Sequence, residues 1–167
     1  MSEIIEMCEE LFDELSKFSD DVLYLGPPIN DNRLDQFAKE IGFKLPYDFE
    51  YILKKHNGIA LLGTQIYGLD KQLRGSSIDK VYEFEHHEAN YRMPLEFLPF
   101  SPDGRGNHYC LNLSKLTDEQ CPVVFWQWDL DYDFNEVEEC NITFVDWVKE
   151  VMIEWKSDDY NYDGTEK

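Results

Sequence analysis

Residues 45–58, LPYDFEYILKKHNG, decide how the rest of the chain is read. Pro46 suits the first position of a helix, where its missing N–H would have no partner in any case. Phe49, Ile52 and Leu53 recur at the spacing that lays one apolar stripe along a helix face. Lys54, Lys55 and His56 fall in the last turn, where positive charge or a donor suits the negative end of the helix dipole. Asn57 and Gly58 both tolerate the left-handed conformation that ends a helix. The stretch reads as a short amphipathic helix, and folding alone explains each of its features.

Working outward, residues 3–18 set Ile4, Ile5, Cys8, Leu11, Phe12, Leu15 and Phe18 on a second helical stripe with acids opposite. VLYLGPPIN (22–30) reads as a connection, because Gly26, Pro27 and Pro28 cannot continue a helix. Asn30 or Asp31 then caps a helix that turns Leu34, Phe37, Ala38 and Ile41 inward and stops at Gly42. Downstream, IALLG and TQIYGL are short Gly-bounded runs of strand type. SIDKVYEFEHHEANY (77–91) reads as a helix or a long surface excursion.

LEFLPFSPDGRGNHYCLNL (95–113) reads as strand, turn, strand, with Pro102-Asp103-Gly104 supplying the turn and Tyr109, Leu111 and Leu113 alternating. PVVFWQW (122–128) is the most strand-prone run. Val124, Trp126 and Trp128 fall on one face there, and Val123, Phe125 and Gln127 on the other. Asn141 or Thr143 caps a last helix bearing Phe144, Trp147, Val148, Val151, Met152 and Trp155. Helices, then strands, then a helix predict an α+β fold with helices packed on a mostly antiparallel central sheet. One domain is expected over residues 1–157, followed by an acidic, disordered tail at 158–167.

Charge narrows the function classes. The chain carries 35 Asp and Glu against 15 Lys and Arg, a formal net charge of -20. A phosphate backbone is bound by neutralising it with cations, so nucleic acid is not an expected partner, and an anionic membrane surface is disfavoured for the same reason. No continuous apolar run approaches the roughly 18 residues of a spanning helix, and the N-terminus has no basic leader; a cytoplasmic protein is expected. Cys8, Cys110, Cys121 and Cys140 are too scattered for a metal knuckle and read as reduced thiols.

Four stretches together resemble one family: KLPYDFEYILKKHNG near residue 50, FLPFSPDGRGNHYCLNL near residue 105, PVVFWQWD near residue 125, and the terminal ITFVDWVKEVMIEW. In order and spacing the chain is similar to the SUKH superfamily, the Smi/Knr-like domain of bacterial immunity proteins and of a fungal cell-wall regulator. Ile59 stands where a second Gly is usual, and Asn107 where Asp is often found. The resemblance implies a Smi/Knr-like fold and a non-catalytic binding role. In bacterial members that role is an antitoxin that neutralises a polymorphic toxin, often a nuclease. In fungal relatives it is a regulatory or scaffold module. A basic nuclease domain is the expected partner, and an acidic protein can occupy a cleft built for phosphates.

The acidity is concentrated late in the chain, where residues 118–167 hold fifteen Asp and Glu against three Lys. Its sharpest run is WDLDYDFNEVEE (128–139). The candidate partner-binding residues are Trp128, Asp129, Asp131, Tyr132, Asp133, Glu136, Glu138 and Glu139, aromatic anchors beside charges. A solvated acidic loop whose rings close a sheet edge is the plainer alternative.

Asp129-x-Asp131-x-Asp133 copies the start of an EF-hand loop, but Phe134 replaces the required Gly and Cys140 the closing Glu. Gly104-Arg105-Gly106 sits between strands and reads as a turn, not a dinucleotide fingerprint. His86, His87 and Glu88 read as solvated surface, His56 as a capping residue, and His108 as a neighbour of Asp103. No nucleophile elbow, P-loop or zincin motif occurs. No catalytic residue, metal or cofactor is expected.

Overall fold

The computed structural model describes residues 2–70, 76–130 and 137–167. The helix at the centre of the sequence reading is α3, Tyr47–Lys55, preceded by α1 (Ser2–Leu15) and α2 (Asp31–Ile41). Pro46 takes the cap position with extended dihedrals, one residue earlier than the pattern suggests. Asn30 caps α2 by accepting from the Asn32 N–H, and Gly42 closes it in the left-handed conformation. Asn57 keeps a negative φ and Gly58 alone makes the left-handed turn. The Asn57 side chain is used instead as a rung: its Nδ2 donates to the Leu69 carbonyl at 2.9 Å and its Oδ1 accepts from the Leu69 N–H at 2.7 Å.

The strands form two antiparallel sheets, not one central sheet. The smaller joins β1 (Leu23–Leu25), β2 (Ile59–Leu61) and β3 (Thr64–Ile66) in that order. The larger runs β4 (Phe97–Pro102), β5 (His108–Asn112), β6 (Val123–Trp126) and β7 (Glu138–Asn141). A backbone bond from the Tyr67 N–H to the Phe100 carbonyl, 2.8 Å, ties one to the other. The β1 segment had read as a connection, and β7 was hidden in an acidic run. A strand of three or four polar or proline-flanked residues has too few alternations to show its period.

One large core collects α1, α2, α3, both sheets and the C-terminal helix, with Phe49, Phe100, Phe144 and Trp147 at its centre. The rings of Phe100 meet Phe144 and Trp147 edge-on at 5.0 and 4.8 Å. Each such side chain stabilises the fold by about 1.5–3 kcal/mol through burial. The other face of β4–β6 carries a second cluster, Met93, Phe97, Cys110, Val124 and Trp126. Strand alternation therefore splits β6 as its sequence predicts, with Val123 facing the large core and Val124 and Trp126 the small one.

The C-terminal helix is continuous through three segments: α5 (Phe144–Trp147), a π-helical stretch (Val148–Glu154) and α6 (Trp155–Asp159). Thr143 caps it by accepting from the Asp146 N–H. Asp48 supplies a second, buried cap: its carboxylate accepts from Phe49 N–H in α3, Val145 N–H in α5 and the Gln120 side chain. One anion thus serves two helix N-termini, where the dipoles favour it.

The last ten residues do not form the expected disordered tail. Tyr162 packs its ring edge-on against Phe18 at 5.1 Å, and Ser19 N–H donates to the Tyr162 carbonyl. Asn161 and Thr165 close the turn between them. An aromatic ring with a core partner anchors what charge alone would leave loose.

Candidate functional site

Helix α4, Ile78–His87, lies beside the second cluster and buries Ile78, Tyr82, Glu85 and His86. That face obeys the helical period, so the burial of His86 was legible beneath the apparent polarity of the stretch. His86 is not solvated surface: its two ring nitrogens lie against the carbonyls of Tyr82 and Pro94, at 2.6 and 2.8 Å. Burial pulls its imidazole below the usual range, although those carbonyls favour the protonated form.

His108 is near enough to Asp103 to act on its charge, but its ring partner is on α4. It begins β5, faces α4, and brings Nε2 to 3.3 Å from Oε1 of Glu85. Asp103 is occupied elsewhere. Its carboxylate accepts from the N–H groups of Arg105 and Asn107 and from the Asn107 side chain. Partial burial pushes the Asp103 carboxyl up, but these donors, helped by His108, hold it below the ordinary range. Asn107 also accepts from the Trp128 N–H through Oδ1. Its side chain therefore donates to Asp103 and accepts from Trp128, and an ionised Asp side chain at this position could not donate to Asp103.

The β4–β5 turn thereby becomes the seat of Trp128. The indole Nε1 donates to the Arg105 carbonyl at 2.9 Å. Gly106 has φ +89°, and a Cβ there would stand 2.7 Å from Trp128 Cδ1. Glycine is required for both the backbone conformation and the contact. Trp128 remains 51 % exposed despite this fixation.

Between α4 and the seated Trp128 lies a cavity of about 570 Å³. Phe84, Tyr91 and Trp128 wall it, Glu88 and Asp129 add carboxylates, and Glu85 and His108 close its inner end. Glu85 is 4 % and His108 7 % exposed, yet Glu85 Oε2 and His108 Nδ1 have no hydrogen-bond partner among the described residues. Most buried polar atoms in folded proteins are partnered, so two such atoms at one cavity mark it.

The predicted partner-binding run is divided by the fold. Trp128 and Asp129 line this cavity. Glu138 and Glu139 are exposed on β7, beside a smaller groove of about 370 Å³ with Tyr109, Phe125 and Trp155. Asp131, Tyr132, Asp133 and Glu136 lie outside the described residues. Sequence reasoning missed Glu85, Phe84, Tyr91 and His108, which lie well before Trp128 in the chain. Among the described residues no group of three or more His, Cys, Asp or Glu is arranged to hold a metal, and no helix is long and apolar enough to cross a membrane.

These features define an α+β domain with a fixed, half-exposed aromatic anchor on an acidic chain. The chain belongs to the SMI1 / KNR4 family (SUKH-1), whose model matches residues 28–150. The fold is also similar to that of a solved structure described as a protein from Pseudomonas syringae pv. tomato. That match has TM-score 0.62 and 15 % identity and covers 86 % of this chain and 96 % of the other. Membership in the SUKH-1 family is consistent with an immunity-type role in which the domain binds another protein.

Proposed function

We propose that the protein is an immunity protein, an antitoxin that binds and neutralises a cognate polymorphic toxin, a nuclease domain, without catalysis of its own. Family membership carries the reading. The net charge of -20 supports it, because a nuclease presents positive charge to its substrate's phosphates. Opposed fields accelerate association roughly ten- to a thousand-fold at low salt, which suits an inhibitor that must capture its target before damage is done. Trp128 beside Asp129 offers a ring anchor next to charge, and Glu138–Glu139 offer a separate acidic edge.

The test mixes purified protein with the toxic domain encoded beside it and follows nuclease activity and co-elution. Stoichiometric inhibition, with capture slowing as salt rises, is the expected result. Absence of both complex and protection overturns the reading. Recovery of endogenous partners without any toxin would favour a regulatory module.

A further inference from the structure

The cavity beside Trp128 has walls that specify a ligand chemistry. Its inner end holds a carboxylate, Glu85, one oxygen of which meets His108 while the other meets no donor among the described residues. An ionised carboxylate can only accept, so its complement is a donor, preferably a charged one. The walls of the cavity narrow the kind of donor further. Phe84, Tyr91 and Trp128 are 51, 43 and 51 % exposed, a concentration of rings unusual on a solvent-facing surface. Glu85, Glu88 and Asp129 outnumber Lys80, the cation at the same rim.

Aromatic faces around a carboxylate select a cation, and a planar one best. A guanidinium stacks on rings while its fork of N–H groups meets carboxylate oxygens; an ammonium offers neither plane nor fork. Trp128 is already held by Arg105, Asn107 and Gly106, so little ordering cost remains to be met on binding. We propose that this cavity receives an arginine side chain from the basic surface of the protein partner, with Glu85 as its counter-charge and Trp128 as its stacking wall. This deepens the partner-binding reading above and rests on it for the source of the arginine.

Two arms test it. In the first, N-acetyl-arginine methylamide is titrated into the full chain while the Trp128 indole N–H and the Gly106 amide are followed by NMR. Its neutral, near-isosteric citrulline counterpart is titrated in parallel. Saturable shifts are expected with the arginine probe, about tenfold weaker binding with citrulline, a similar loss in Glu85→Gln, and none left in Trp128→Ala. Equal binding of the two probes, no saturable shift, or full binding by Glu85→Gln overturns the proposal. Trp128→Ala changes a half-exposed ring, so the second variant stands if Glu85→Gln fails to fold.

The second arm measures capture of the toxin domain by both variants, with at least a tenfold loss expected. Unchanged capture overturns the placement of a partner arginine in the cavity, whatever the probe does. Wild-type failure to bind any toxin fells the immunity reading instead, and the first arm separates the two because it uses no toxin.

Discussion

Asp48 and Glu85 are both buried carboxylates, and they could hardly be treated more differently. Asp48, 0 % exposed, accepts from two backbone N–H groups and the Gln120 amide. Glu85, 4 % exposed, has His108 at 3.3 Å and an oxygen with no donor among the described residues. The first joins the beginnings of two helices, and the second sits at the end of an aromatic cavity. Burial alone does not distinguish the two; the donors each carboxylate meets do.

Substituting the satisfied member should hurt most. Asp48→Ala strands two buried N–H donors and the half-buried Gln120 amide and is expected to cost about 3–5 kcal/mol, read as a shift in the urea midpoint. Its pH dependence sharpens the point. Burial raises the Asp48 carboxyl above its ordinary value against the pull of its donors. The folded state therefore holds that proton more tightly than the unfolded chain does. The stability this contributes is complete below the unfolded value near 3.8 and lost as pH rises through the folded one. Wild type should gain on Asp48→Asn as pH falls through that window, and a difference that instead shrinks would refute the assignment.

Gly106→Ala tests the seat of Trp128. With φ +89° and Trp128 Cδ1 only 2.7 Å from the new Cβ, it should cost about 1–3 kcal/mol. Partner affinity should fall with it, because the ring must move. By contrast, Glu85→Gln should change stability by less than about 1 kcal/mol in either direction, since it removes a charge that the fold leaves half satisfied. A loss matching that of Asp48→Ala would erase the distinction between the two carboxylates.

The smallest effect on folding belongs to the rim. Glu138→Lys with Glu139→Lys breaks, among the described residues, the exposed Lys115–Glu139 pair, 3.5 Å, and should shift the melting curve within about 0.5 kcal/mol. Stopped-flow association with a basic partner should nonetheless slow, most at low salt.

The resemblance carried by the turn 102–107 and the run 122–129 is borne out by the family match, and the structure explains why those motifs travel together: Asn107 and Gly106 hold Trp128. The acidic run from 128 to 139 was legible as composition but not as a site. Its described members divide between the cavity and β7. His108 looked like a partner for Asp103 because the two are close in sequence. In the fold, nearby backbone N–H groups claim Asp103, and the strand turns His108 toward α4.

Sequence by itself determined the apolar stripes of α1, α2, α3 and the C-terminal helix, the turn between β4 and β5 and the two faces of β6, because periodicity and turn chemistry act over a few residues. Only the tertiary structure decided that there are two sheets, that Asp48 is satisfied, and that Glu85 is not. Those outcomes depend on which distant backbone groups and side chains meet in the absence of water, and no local pattern records that.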